Sequence, residues 1–145
     1  MIRFFYYVEF KYLLEDGCES CFDLGIFSTK ANAEKKIKIS SIQTGFKDYP
    51  IQNFNIIKFG VNFYEAKVDK SKTKLFSIQH EYSDENPDVS YYTTFGYFST
   101  YEEASRKVQY LKSHSRIGKK YPDNFEIIEE LIDNYNSWSE GFIRY

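Results

Sequence analysis

Cys18-Glu19-Ser20-Cys21 is the spacing with the most chemical content in this sequence. Two thiols two residues apart are the core of a redox dithiol or half of a zinc site. A redox dithiol needs its first thiolate stabilised, usually by a helix N-terminus; here a turn precedes the pair and a strand follows it. A zinc site needs four ligands, commonly a second such pair or two histidines. The chain offers only His80 and His114, from elsewhere in the sequence. Structural thiols are therefore expected, with no metal and no other cofactor. Neither histidine lies beside a nucleophile in a motif, and no Gly-x-Ser-x-Gly is present. His80 is expected on a strand. His114 is expected at a helix end, where a cation meets the negative end of the dipole. No catalytic residue is assigned, and the protein is not expected to be an enzyme.

Carboxylates are plentiful but not paired in a diagnostic way. Glu126, Glu129, Glu130, Asp133 and Glu140 concentrate near the end of the chain, around Trp138. Residues 1–71 carry 10 basic and 9 acidic groups; residues 72–145 carry 9 and 12. Such a concentration is either a solvated face or a surface that attracts a basic partner and speeds its docking. These five carboxylates and Trp138 are the expected partner-binding residues. The lysines at 35, 36, 38, 119 and 120 are too sparse to argue for nucleic acid, and no Gly-rich phosphate loop is present.

The net charge of −2 fits that reading. No stretch has the apolar length that spans a bilayer, so no membrane partner is expected. Met1 to Val8 runs into Glu9 and Lys11 without a small-residue cleavage site, as a first strand does and a signal peptide does not. Two cysteines in such a chain suit a reducing compartment, and a cytoplasmic location is expected. Fourteen Tyr, fourteen Phe and one Trp make 20% of the residues, a load that favours sheet.

The elements that position these residues come in duplicate. Gly25-Ile26-Phe27-Ser28-Thr29 recurs as Gly96-Tyr97-Phe98-Ser99-Thr100, 71 residues on. At the same offset Phe5 meets Phe76, Ala33 meets Ala104, Lys36 meets Lys107, and Asn53-Phe54 meets Asn124-Phe125. In each copy a first strand (Ile2 to Leu13, or Lys74 to Tyr82) passes through a polar turn to a second ending at Phe27 or Phe98. Ser28-Thr29 and Ser99-Thr100 are expected helix caps, with Ser99 and Glu102 as a capping box. The helices run to about Ser41 and Ser113. Ala33 and Ile37, like Ala104, Val108 and Leu111, face inward, and Lys35, Lys36 and Lys38 outward. Third strands start at Phe54 and Phe125, although Glu129 to Asp133 could equally be helical. Gly25 and Gly96 read as bulge positions.

The expected fold is therefore α+β, a tandem ββαβ repeat. Its six strands form a mostly antiparallel sheet, either one sheet or two pseudo-twofold halves, with two helices on one face. One domain is expected over 1–145, with repeats at 1–66 and 74–137, a charged linker at 68–74 and a tail at 138–145.

Five motifs sharpen this picture: Gly25 to Thr29, Ala33-Glu34, Gly45-Phe46 with Tyr49-Pro50, Phe54 to Ile56, and Trp138-Ser139-Glu140-Gly141-Phe142. Together they resemble a small bacterial domain family of unknown function, here in tandem duplicate. The likeness covers most of the chain and implies the fold, with no chemistry attached to any residue. The second copy departs from it where Ala104 precedes Ser105 and Gly118 precedes Lys119.

The expected function is stoichiometric protein binding, in concrete form a bacterial immunity protein that neutralises a cognate toxin, with Tyr and Phe as interface anchors. One alternative is a homo-oligomeric structural or regulatory domain, such as a homodimer, joined through sheet edges. Another is a small-molecule binder or enzyme using a pocket between the repeats, with His80, Tyr82 and Cys21 as its reactive groups.

Overall fold

Each copy of the repeat builds the same hairpin. In the first, β1 (Ile2–Leu13) pairs antiparallel with β2 (Glu19–Phe27); in the second, β4 (Lys74–Tyr82) pairs antiparallel with β5 (Tyr91–Phe98). The computed structural model describes residues 1–63 and 74–143. The expected end of the first repeat at 66, and all of the expected linker but Lys74, lie outside the described residues. Helix α1 (Lys30–Ser41) leads through two short 3-10 turns to β3 (Phe54–Asn62). Helix α2 (Tyr101–His114) and the short α3 (Arg116–Lys120) lead to β6 (Phe125–Leu131). The strands form two three-stranded antiparallel sheets, ordered β2-β1-β3 and β5-β4-β6. The duplicated α+β architecture expected from the sequence is present, as two sheets rather than one of six strands. Residues 129–131 are strand, not helix.

The same devices shape both copies. Gly25 (φ 120°) and Gly96 (φ 112°) take backbone values open to glycine alone, and each hairpin slips register beside them, between Val8 and Glu9 and between Ser77 and Gln79. The helix caps are Thr29 and Thr100, whose hydroxyls accept from Asn32 N (3.1 Å) and Glu103 N (3.2 Å). The cap and its glutamate thus fall at Thr100 and Glu103 rather than at the expected Ser99 and Glu102. Because α2 begins at Tyr101, Glu103 is its third residue, and Ser99 donates to the Glu103 carboxylate at 3.2 Å.

The chain divides into two units that do not coincide with the repeats. The first unit comprises Ile2–Gly60 with the chain from Leu131 onward; the second comprises Met1 with Val61–Glu130. In the second unit Ile78, Ala104, Val108 and Leu111 form the buried centre, with Phe95, Phe98 and Phe125 packed around it.

The first unit has a larger, aromatic core, completed by the segment after β6. Phe142 packs 4.7 Å from Phe22 and 4.8 Å from Phe46, and Phe10 lies 4.8 Å from Phe54. The Gly45 and Gly141 loops meet beneath it: Phe142 N donates to Thr44 O at 2.9 Å, and a Cβ on either glycine would collide with backbone of the other loop. Two motifs of the family resemblance, Gly45-Phe46 and Gly141-Phe142, are therefore one packing unit.

Upstream, the same segment lies along the free edge of β2. Ile132 bridges Ile26 in parallel and Asp133 N donates to Ile26 O at 2.9 Å. The Asp133 carboxylate accepts from Ser28 N (2.9 Å), Ser28 Oγ (2.6 Å) and Asn32 Nδ2 (3.2 Å). Tyr135 covers Phe27 with ring centres 5.3 Å apart, and Lys35 Nζ sits 5.0 Å over the Tyr135 ring. Lys36 Nζ donates to Tyr135 O (3.0 Å) and Ser137 O (2.5 Å). Lys36 is consequently 0% exposed, which corrects the outward placement drawn from helix periodicity. Its carbonyl partners arrive from a part of the chain that helix spacing does not register.

Candidate functional site

In the second unit, the sheet edge equivalent to β2 is β5. Its sequence, Tyr91-Tyr92-Thr93-Thr94-Phe95-Gly96-Tyr97-Phe98, carries no charge and no proline. Edge strands usually carry such residues to discourage pairing with another chain. Tyr91 and Tyr92 are exposed at the start of the strand. Tyr82, opposite Tyr91 in the hairpin register, stacks on Tyr91 at 5.0 Å and on Tyr121 at 4.7 Å. Stacking immobilises the rings, so this end of the edge is a preformed aromatic surface.

At the other end of β5 the strand turns into α2 and a groove opens. It has a volume of about 600 Å³ and is lined by Phe98, Glu103, Arg106, Lys107 and Tyr110. The sequence brings these together because Phe98 ends the strand, while 103, 106, 107 and 110 share one helix face at three- and four-residue spacing. Lys107 Nζ lies 4.8 Å over the Tyr110 ring, which stacks on His114 at 4.1 Å. An apolar floor, a carboxylate near the cap and two cations along one wall suit a stretch of polypeptide better than a single small charged group.

The residues singled out from the sequence are divided by the structure. Glu126, Glu129 and Glu130 lie on β6 in the second unit; Asp133, Trp138 and Glu140 belong to the first. Glu126 and Glu140 are exposed. Glu129 pairs with Lys74, and Glu130 accepts from buried Ser77 Oγ at 2.9 Å. Asp133 is engaged with Ser28 and Asn32 as described. Trp138 packs on Phe22 at 4.5 Å and donates Nε1 to Asp23 O at 3.1 Å. Four of the six are thus committed to contacts within their own unit.

Cys18 and Cys21 are exposed free thiols on the β1–β2 hairpin. Partial burial and then the Glu9 carboxylate, 3.7 Å from Cys21 Sγ, push the Cys21 thiol above its ordinary value. Among the described residues no group of three or more His, Cys, Asp or Glu could hold a metal ion. His80 is buried on β4 among Phe95, Phe125 and Tyr121, with Nε2 3.0 Å from Tyr121 O. No helix among the described residues is long and apolar enough to cross a membrane.

No family model matches the chain, and no curated protein or solved structure matches it. What the site can do therefore rests on its own geometry.

The groove residues at 98, 103, 106, 107 and 110 are not among those selected from the sequence. One signal for them was present: a single tail follows two repeats, so the two copies cannot be covered alike by it.

Proposed function

We propose that this protein is a non-enzymatic binding module that acts by stoichiometric association with another protein. Its concrete form is an immunity protein that neutralises a toxin by direct binding in the cytoplasm. The observation that carries this reading is β5, an uncharged edge strand with exposed Tyr91 and Tyr92 beside the stacked Tyr82. Main-chain pairing along such an edge gives affinity, and rigid tyrosines give anchors at low entropic cost. Exposed carboxylates, Glu126 among them, favour a basic partner by speeding encounter.

Co-expression with the product of the adjacent gene, followed by light scattering on the purified material, tests the reading. The expected result is a 1:1 complex that Tyr92→Lys weakens about ten-fold or more, as loss of an interface anchor does. Absence of any complex removes the reading. A stable dimer of this chain alone, disrupted by the same substitution, replaces it with the homo-oligomeric one.

A further inference from the structure

In the first copy of the repeat the segment after β6 packs on the end of β2 and on α1, and the equivalent residues of the second copy line a groove. In the first copy this turn-rich segment, Ile132 to Ser137, lies against the end of β2 and one face of α1. Three contacts define its slot. Ser28 and Asn32 hold the Asp133 carboxylate; Phe27 and Lys35 each contact the Tyr135 ring; and Lys36 donates to two main-chain carbonyls.

Each slot residue has a counterpart 71 positions on: Ser99, Glu103, Phe98, Arg106 and Lys107. Four of these five line the open groove, the exception being Ser99. Exposure separates the copies at two of the five positions, while Asn32 and Glu103, like Lys35 and Arg106, are alike and Ser99 is more buried than Ser28. Phe27 and Lys36 are both 0% exposed, whereas Phe98 and Lys107 are half-buried.

We infer that the groove of Phe98, Glu103, Arg106 and Lys107 receives a turn-forming segment of a partner protein carrying a basic residue and, two positions later, an aromatic one. The inference rests on the binding-module reading and names the chemistry of its partner. The aromatic follows from Phe98 and Arg106, which stand where Phe27 and Lys35 contact Tyr135 in the first copy. The carbonyl contacts follow from Lys107, which needs only main chain and so leaves the neighbouring positions unspecified. The basic residue follows from the one reversal of charge: Glu103 stands where Asn32 helps hold an aspartate. That reversal also disfavours a second copy of this chain as the guest, since its own segment would set Asp133 against Glu103.

The test uses the intact protein and two fluorescent nine-residue peptides copied from its own residues 130–138, one unaltered and one with Asp133→Lys. In fluorescence anisotropy the Asp133→Lys peptide is expected to bind at least about ten-fold tighter, the scale on which close charge pairs discriminate. Glu103→Gln should abolish that preference and Asn32→Ala should leave it intact; thermal melts of both variants confirm that they are folded. Tighter binding of the unaltered peptide, lost in Asn32→Ala, would mean that peptides only displace the chain's own segment from the first unit, and the inference falls. It falls equally if neither peptide binds, or if binding needs residues 64–73 replaced by a Gly-Ser stretch of equal length. A partner complex obtained as above that tolerates Glu103→Gln would leave the binding-module reading standing and remove this groove from it.

Discussion

Asp133 Oδ2 lies 2.6 Å from Ser28 Oγ, across 105 residues of chain, and its Oδ1 accepts from Ser28 N at 2.9 Å. One carboxylate thus ties the segment after β6 to the start of α1. Asp133 has a left-handed backbone (φ 59°), a conformation in which aspartate is enriched over most residues. Asp133→Ala removes every bond the carboxylate makes and should cost about 1–3 kcal/mol, the range for charge-assisted bonds in partly buried sites. Asp133→Asn keeps the shape and should cost less. Chemical denaturation reads the difference as a shift in midpoint, and an unchanged midpoint for Asp133→Ala would show that the segment is held without this contact.

Lys36 should make stability depend on pH in the alkaline range. Burial alone lowers its pKa from the ordinary 10.5. The unfolded chain therefore holds this proton to higher pH than the folded one. Stability consequently rises with pH between the lowered folded value and 10.5, as the cost of a buried ammonium is shed. Lys36→Met, which cannot titrate, lacks this rise, so wild type should gain stability relative to the variant as the pH is raised through that window. Parallel denaturation curves at neutral and alkaline pH check it; a constant gap would show that the ammonium is not desolvated.

Much of this fold was legible in the sequence because its devices are local. Gly25 and Gly96 report a bulge through the one property that sets glycine apart. Ala33, Ile37 and Val108 report a helix face through spacing. The caps, Thr29 and Thr100, were found to within one residue. What was not legible depends on where the last segment goes. Lys36 reads as an outward lysine until the Tyr135 and Ser137 carbonyls arrive from far along the chain. Trp138 is exposed, and spacing does not register its contacts with Asp23 O and the Phe22 ring. The groove was hidden for the same reason: it is defined by the contrast between a covered copy and an open one, and only coordinates show which copy is covered.

Gly45 and Gly141 should both resist substitution, since each combines a left-handed backbone with a collision across the facing loop. Both have positive φ (83° and 75°), and a methyl group on either would strike backbone of the facing loop. Gly45→Ala or Gly141→Ala should each cost more than about 1–3 kcal/mol, since strain and collision add. Gly17→Ala is the control: its φ of 85° is also left-handed, but nothing lies within 4 Å of the new Cβ. Its cost should stay near about 1 kcal/mol. Thermal melts rank the three, and equal losses would show that packing between the two loops contributes little.

Cys21 should react slowly with alkylating reagents for an exposed thiol. The thiolate is the nucleophile, and burial together with the Glu9 carboxylate disfavours it. In a Cys18→Ser background, Glu9→Gln should raise the alkylation rate at pH 8 a few-fold by removing the like charge. Mass spectrometry over time measures it, and an unaltered rate would leave burial as the whole cause.

Glu130 and Glu126 lie four residues apart on β6, yet should behave oppositely. Glu130 ends a chain of side-chain bonds across the second sheet. Thr94 Oγ1 donates to Gln79 Oε1 (2.8 Å), Gln79 Nε2 to Ser77 Oγ (3.0 Å), and Ser77 Oγ to Glu130 Oε1 (2.9 Å). Ser77 and Gln79 are buried, so loss of the terminal acceptor leaves a hydroxyl without its partner, at a cost of about 1–3 kcal/mol. Glu126 is exposed, and Glu126→Ala should change stability by less than about 0.5 kcal/mol. The contrast decides how the acidic strand can be probed. A partner lost on Glu130→Ala could be lost through the sheet itself, whereas a partner weakened by Glu126→Ala, with an unchanged melt and a steeper loss at low salt than at high, is responding to charge on this surface.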